Sequence, residues 1–380
     1  MEEKMLLYTL HTGEEAHRYK KSIVVNFTGR RRVLSTAPHN GGLREDLTAV
    51  FNHDATVGAG MAIVLKAPTY GEHMAILSGE LGLSPEHSAG LSTAAKMENV
   101  SIQTETWGRI AVTAMVTGGV EINGGRAGDP ASWDELTGNP AEAEKPGTIN
   151  CMVFFNVNLT PGALTRALVT CTEAKTAALQ ELAAPSRYSR GLATGSGTDG
   201  AILCANMDSP VLLADAGKHS KLGELIGRSV KAAVKEALCL QNGLCPTSQH
   251  NPLRRISRFG VTEDSLWAKA RGTGDGGLRR ARFAALTEKL SSADLILTYT
   301  ALYAHLLDEL DWGLIGAEEA LRAGTELLRL MEMPGAIPRD KDLLAGACAD
   351  TMIAALEDGM VSLLRREDEA GLRRQMKYLR

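Results

Sequence analysis

The chain has 380 residues, 44% hydrophobic and 23% charged, with 41 Lys plus Arg against 45 Asp plus Glu, a net charge of −4. A mildly acidic chain has no bulk attraction for phosphate backbones or anionic lipid, and no uninterrupted apolar stretch reaches the ~18 residues of a spanning helix. Nucleic acid and membranes are therefore set aside as main partners. The N-terminus, Met1 to Lys21, carries Glu2, Glu3, Glu14 and Glu15 and lacks the apolar region and cleavage site of a signal peptide, so a cytoplasmic protein is expected. Six cysteines (Cys151, Cys171, Cys204, Cys239, Cys245, Cys348) occur singly, without CxxC spacing, as expected of buried thiols rather than a zinc site or a disulfide framework.

In chain order, strands are predicted at Ser22 to Phe27, Met61 to Lys66, Val100 to Thr106, Ile110 to Val116, Ile149 to Val157 and Ala201 to Ala205. Each is rich in β-branched residues and bounded by Gly, Asn, Asp or Pro. Two helices stand out among them. Over Pro161 to Leu182 the residues Leu164, Leu168, Cys171, Ala178, Leu179 and Leu182 recur at steps of three or four, with Pro161 where a helix start tolerates proline. Over Ser220 to Leu240 the residues Leu222, Leu225, Ile226, Val230, Ala233, Val234 and Ala237 form one face, and Gly243 reads as the stop. The composition predicts an irregular connection over residues 246–277. Helical patterns follow at Leu278 to Leu290, Ala293 to Leu310, Ala317 to Met333 and Leu343 to Arg366, so residues 278–380 read as a helical subdomain. There is no solenoid period and no low-complexity segment.

Several motifs carry two readings each. Gly195-Ser196-Gly197-Thr198-Asp199-Gly200 matches the dinucleotide fingerprint, but a helix precedes it and a strand follows, the reverse of what that fold needs. It reads as a tight turn into a strand, or as a loop approaching a ligand with Thr194, Ser196, Thr198 and Asp199 as its polar groups. Five glycines fall within residues 118–128, either a floppy loop or a site wall that exposes its backbone and leaves Asn123 as an amide donor. Thr148, between a turn and an apolar strand, is structural or else a nucleophile, since a threonine hydroxyl attacks amides when a base removes its proton. Lys175 lies on the apolar helix stripe, where it snorkels to water or pairs with a carboxylate. His219 reads as a surface or capping residue. No His spacing suits a catalytic metal, so no metal site is expected.

Longer strings are more specific. Gly90-Leu91-Ser92-Thr93-Ala94-Ala95, Ala114 to Val120, Arg126-Ala127-Gly128-Asp129, Gly147-Thr148-Ile149-Asn150, Thr172 to Leu179, Ala193 to Asp199 and His219 to Gly227 resemble, in order, the adenosylcobinamide amidohydrolase family. The likeness covers roughly residues 20–240. The segment before Asn123 is one residue longer than the family's usual loop. The resemblance implies hydrolysis of the amide between the corrin propionate and aminopropanol, giving adenosylcobyric acid and 1-amino-2-propanol in the salvage of cobinamide for cobamide (vitamin B12) synthesis. It implies a corrinoid small molecule as partner and no separate cofactor, since the cobalt belongs to the substrate. A homo-oligomer is left open.

Gly147-Thr148 before an apolar strand, with Asn158-Leu159-Thr160-Pro161 opening a helix, also resembles the nucleophile region of self-processing β-aminopeptidases and ornithine acetyltransferases, as do Gly58-Ala59-Gly60-Met61 and Gly90 to Ala94. That likeness implies an α/β (α+β) fold, an αββα layered sandwich, to which residues on both sides of Gly147–Thr148 give strands. The expected organisation is an amidohydrolase domain over 1–245, the connection over 246–277 and the helical subdomain over 278–380. From the two resemblances Thr148 is the expected nucleophile, with Asn123 and glycine-loop amides as oxyanion donors and Lys175, Glu173 and Asp199 orienting or tuning it. Gly118, Gly119, Arg126, Asp129, Thr194, Ser196, Thr198, Asp199 and His219 are the expected substrate-binding positions. The rivals are a corrinoid-binding module without hydrolysis and a self-processing aminopeptidase or acyltransferase. With 4% aromatics, the corrin is expected to meet aliphatic and amide-directed contacts more than stacked rings.

Overall fold

Parallel neighbours in a sheet need a crossover between them, usually a helix, and two such crossovers organise this chain. The computed structural model describes residues 4–56, 64–131, 134, 136, 147–272, 279–291, 293–333 and 345–378. They fall into two compact units, residues 1–245 and 246–380. The first contains β1 (Met5–Thr9), β2 (Glu15–Tyr19), β3 (Ser22–Asn26), β4 (Arg31–Ser35), β5 (Gly42–Arg44), β6 (Ala49–Asp54), α1 (Tyr70–Glu80), β7 (Ser88–Thr93), β8 (Ser101–Trp107) and β9 (Ile110–Gly119). These are followed by β10 (Gly124–Gly125), β11 (Thr148–Phe155), β12 (Asn158–Leu159), α2 (Pro161–Glu181), β13 (Gly195–Ser196), β14 (Gly200–Asn206), β15 (Leu212–Leu213) and α3 (Lys221–Asn242).

One sheet runs β1-β2-β3-β6-β7 and the other β5-β4-β14-β11-β9-β8. Only β6–β7 and β11–β14 are parallel within these two sheets, and they are the pairs bridged by α1 and α2. The layers follow from where the apolar faces go. Met74, Leu77 and Leu81 from the α1 region meet Val24 and Phe51 on the outside of the five-stranded sheet. Ile23, Val25, Val50 and Leu91 meet Met115, Met152, Phe154 and Ile202 between the sheets. The outer face of the six-stranded sheet, with Ile149, Cys151, Val153 and Leu203, is covered by Leu164, Cys171 and Leu179 of α2 and Leu225, Val230 and Val234 of α3. The unit is an α+β sandwich layered helix, sheet, sheet, helix.

The two long helices start and stop on local chemistry. Thr160 Oγ1 accepts from the Ala163 amide, with Pro161 at the first helical position of α2, and Ser220 Oγ accepts from Gly223 N at the start of α3. Gly243, at φ 68°, ends α3 in the left-handed conformation. Other expectations are corrected. Of the strand predicted over Met61–Lys66, residues 61–63 lie outside the described residues and 64–66 are irregular, Val64 being 65% exposed. Pro68 and the capping box of Thr69 and Glu72 commit the chain there to α1. Cys239 is exposed and Cys245 half-buried, whereas the other four cysteines are buried.

The second unit is helical: α4 (Pro252–Ile256), α5 (Glu263–Gly272), α6 (Arg280–Ser291), α7 (Asp294–Asp311), α8 (Ala317–Leu330) and α9 (Ala345–Tyr378). Tyr303, Leu307, Phe283, Leu321, Met352 and Leu356 lie in its core. The stretch 246–277, expected to be irregular, supplies α4 and α5. Asn251 caps α4 and Pro252 opens it, but helices this short show no apolar period in the sequence. Among the described residues, no helix is long and apolar enough to cross a membrane.

Candidate active site

Every residue of β11 is buried, and its side chains alternate between layers: Ile149, Cys151 and Val153 face the helices, while Met152 and Phe154 face the other sheet. Thr148, at the first position of the strand, belongs to the inward set. It is 5% exposed. Its Oγ1 lies 2.6 Å from Thr198 Oγ1 and donates to the Gly147 carbonyl at 2.8 Å. The same carbonyl accepts from Thr198 Oγ1 at 3.0 Å and from Asn123 Nδ2 at 2.5 Å. One carbonyl thus collects three donors, and Asn123 Oδ1, fully buried, has no partner among the described residues. Gly147 is required there. It sits at φ 151°, and a Cβ would fall on the Asn123 carboxamide.

Asp199 anchors the second half of the cluster. Its carboxylate pairs with Lys175 and accepts from Ile149 N at 2.8 Å, Ser196 N at 3.0 Å and Ser196 Oγ at 2.6 Å. Lys175 and Asp199 are 14% and 13% exposed at their side chains, so the pair is largely desolvated. Through Ile149 N it fixes the backbone next to the threonine. Of the two readings open for Lys175, the carboxylate partner is the one present. The loop 195–200 is a tight turn that enters β14, and a Cβ on Gly195 would strike both Asp199 and Lys175.

The glycine segment after β9 is stitched to the loop before β14 by the two-residue ladder β10–β13. Arg126 donates to Leu192 O at 3.2 Å, Ala127 N to Thr194 Oγ1 at 2.9 Å, and Asp129 accepts from Arg126 N at 2.7 Å and Ser186 Oγ at 2.6 Å. Burial opposes ionisation of Asp129, yet hydrogen bonds from Ser186, Ser189 and the Arg126 backbone hold its carboxyl below the usual range. Arg126, Asp129 and Thr194 therefore build the frame around the threonines. Gly118 and Gly119 lie against Leu238 and Gln241 of α3.

The structure brings Thr148, Asn123, Thr198, Asp199, Ser196 and Lys175 together. Glu173 is not among them: it is exposed and pairs with Lys218 at 2.8 Å, because residues two apart on a helix face opposite sides. His219 is exposed in the turn before α3, whose cap is Ser220. Sequence reasoning missed Asn150, Asn52 and Thr117, a buried polar layer beneath Thr148. The available signal was an asparagine at an inward position of an otherwise apolar strand. Among the described residues, no group of three or more His, Cys, Asp or Glu side chains is placed to hold a metal ion.

Comparison with known proteins adds to this geometry. An uncharacterised protein of Methanocaldococcus jannaschii is 34% identical over 232 residues, covering 58% of this chain and 87% of that protein. A Pyrococcus horikoshii protein of known crystal structure is 13% identical, with a TM-score of 0.30, covering 69% of this chain and 90% of that one, a likeness too low to argue from. The sequence model described as adenosylcobinamide amidohydrolase matches residues 7–246. That span takes in all but the first two residues of the two sheets and every residue of the threonine cluster, and the chain belongs to the adenosylcobinamide amidohydrolase family.

Proposed function

We propose that this chain hydrolyses the amide between the corrin propionate and the aminopropanol arm of adenosylcobinamide, giving adenosylcobyric acid and 1-amino-2-propanol for cobinamide salvage, with Thr148 as nucleophile. The observation that carries this reading is the Thr148 hydroxyl, held 2.6 Å from a second hydroxyl and beside the Asn123 amide, within the span that matches the family. Attack by Oγ1 on the substrate carbonyl forms an ester and develops an oxyanion. Donors of the kind now bound to Gly147 O, the Asn123 amide and the Thr198 hydroxyl, are the natural oxyanion partners. The C–N bond breaks, the departing amine takes the threonine proton, and water then releases the carboxylate. The corrin's cobalt and adenosyl group enter as parts of the substrate. Incubation with adenosylcobinamide followed by chromatography is expected to yield adenosylcobyric acid. Tight binding without release of aminopropanol would point instead to a corrinoid-binding module, and cleavage of a β-amino amide with indifference to corrinoids to an aminopeptidase.

A second reading attaches to the Gly147–Thr148 bond itself, favoured by the three donors on the Gly147 carbonyl. That carbonyl lies next to the hydroxyl that attacks in this reading, and it carries the kind of donors an oxyanion needs. Attack of Oγ1 on the Gly147 carbonyl carbon forms a C–O bond, breaks the C–N bond and moves the hydroxyl proton to the amide nitrogen. Water then hydrolyses the ester, leaving a Gly147 carboxylate and a Thr148 α-amine. An α-amine has an ordinary pKa of about 7.7–8.0 and serves as the base for its own hydroxyl. In the uncut chain, among the described residues, the hydrogen-bond contacts of that hydroxyl are another hydroxyl and a carbonyl oxygen. Intact-protein mass spectrometry of the active preparation is expected to show fragments 1–147 and 148–380; full activity from a single uncut species would remove this reading and leave the amidohydrolase reading standing.

A further inference from the structure

Beneath Thr148 a layer of buried amides and a hydroxyl interrupts the apolar contacts between the sheets. Asn150, two residues along β11 and on the same face, donates through Nδ2 to Asn52 Oδ1 at 2.8 Å and to the Ser92 carbonyl at 3.0 Å. Asn52 Nδ2 in turn donates to Thr117 Oγ1 at 2.8 Å. Asn52, Thr117 and Asn150 are 2%, 1% and 1% exposed. Asn52 and Ser92 belong to β6 and β7 of one sheet, Asn150 and Thr117 to β11 and β9 of the other. The asparagine of β6 therefore clasps two adjacent strands of the facing sheet, one of which begins with Thr148.

We infer that Asn52, acting through Asn150 and Thr117, is a positioning residue that fixes the Thr148 hydroxyl against the facing sheet; this rests on Thr148 being the nucleophile. Next to this layer the interlayer contacts are Met115, Met152 and Leu91, and apolar contacts, above all those of methionine, are non-directional and adaptable. They hold the sheets together but leave small displacements open. Hydrogen bonds between amides fix distance and direction, and a connected, satisfied set inside a low-dielectric core fixes them more sharply. The clasp sits one inward position from the attacking oxygen, where a displacement of about 1 Å costs on the order of 10²-fold in rate. Fold stability gives no reason for its chemistry, because replacing both partners of a buried hydrogen bond by apolar groups of similar shape is close to neutral.

The test compares wild type with Asn52→Leu, Thr117→Val and the Asn52→Leu/Thr117→Val/Asn150→Leu triple, the last replacing all three side chains of the set by apolar ones should the single leucine fail to fold, and leaving the Ser92 carbonyl without its donor from Asn150. Two readouts are taken: kcat and KM for adenosylcobinamide, and the rate of Thr148 modification by phenylmethanesulfonyl fluoride, followed by protein mass. Asn52→Leu and the triple variant are expected to lose about 10- to 100-fold in kcat with KM unchanged. Thr148 labelling slows in parallel, and the unfolding temperature of the triple variant falls by no more than a few degrees. Folded variants with wild-type kcat and labelling rate would overturn the inference. A wild type that is inert to adenosylcobinamide but labelled at Thr148 sinks the substrate reading alone, and the labelling rates then decide about Asn52. A wild type unlabelled at Thr148 and inactive leaves no poised hydroxyl to position and overturns the inference as well.

Discussion

Thr148→Ala is expected to abolish turnover of adenosylcobinamide, a loss of about 10⁴-fold or more, while leaving the fold intact. A nucleophile that forms the covalent bond cannot be replaced by its neighbours, and its removal costs as much as removing the machinery arranged around it. The stability cost is small for a specific reason. Thr148 Oγ1 donates to Gly147 O and lies 2.6 Å from Thr198 Oγ1, which donates to the same carbonyl at 3.0 Å. Deleting the hydroxyl therefore orphans neither partner, and alanine keeps the inward Cβ of a 5% exposed strand position. The expected penalty is the loss of one methyl and one hydrogen bond, about 1–2 kcal/mol. Thr148→Ser, which keeps the oxygen, is expected to retain part of the activity. Chromatographic detection of adenosylcobyric acid, together with thermal unfolding, checks both halves. Near wild-type turnover by a folded Thr148→Ala protein would assign the attack to water.

What the sequence displays and what it hides follow from the range of the interactions. The α2 and α3 helices were legible because their signals are local: Pro161 at a helix start, Ser220 at a cap, Gly243 at a stop, and an apolar stripe between. The apolar run of β11 was legible for the same reason. β2, by contrast, reads Glu15-Ala16-His17-Arg18-Tyr19, half-buried and without β-branched residues, and its place in the sheet comes from its partners β1 and β3. In α1, Gly71, Ser78 and Gly79 dilute the apolar period, and its one strong signal was the capping box of Thr69 and Glu72. The site divides in the same way. Lys175 on an apolar stripe was visible as an anomaly, but only the fold supplies Asp199 as its answer. Glu173, in the same string, is carried to the opposite side of the helix. Asn52, 98 residues from Asn150 and 65 from Thr117, meets them only once two sheets have stacked.

The second large effect is expected at the Lys175–Asp199 pair, where activity and stability can be separated. Asp199→Ala removes a carboxylate that holds Lys175, Ile149 N and both polar groups of Ser196. Lys175, 14% exposed, is then left as a largely buried cation without its counter-charge, and breaking such a pair from one side costs about 3–5 kcal/mol. Activity is expected to fall by about 10²-fold as well, because the backbone beside Thr148 loses the acceptor that fixes it. Those two losses have different cures. Adding Lys175→Met takes away the unpaired charge and substitutes a flexible apolar side chain, which is expected to recover most of the stability, since apolar replacement of a buried ion pair is often neutral or favourable. It restores no acceptor to Ile149 N, so the double variant is expected to be stable and still slow. Urea unfolding and turnover measured on both variants check this. Recovery of turnover together with stability would make the pair a staple for α2 alone and take it out of the chemistry at Thr148.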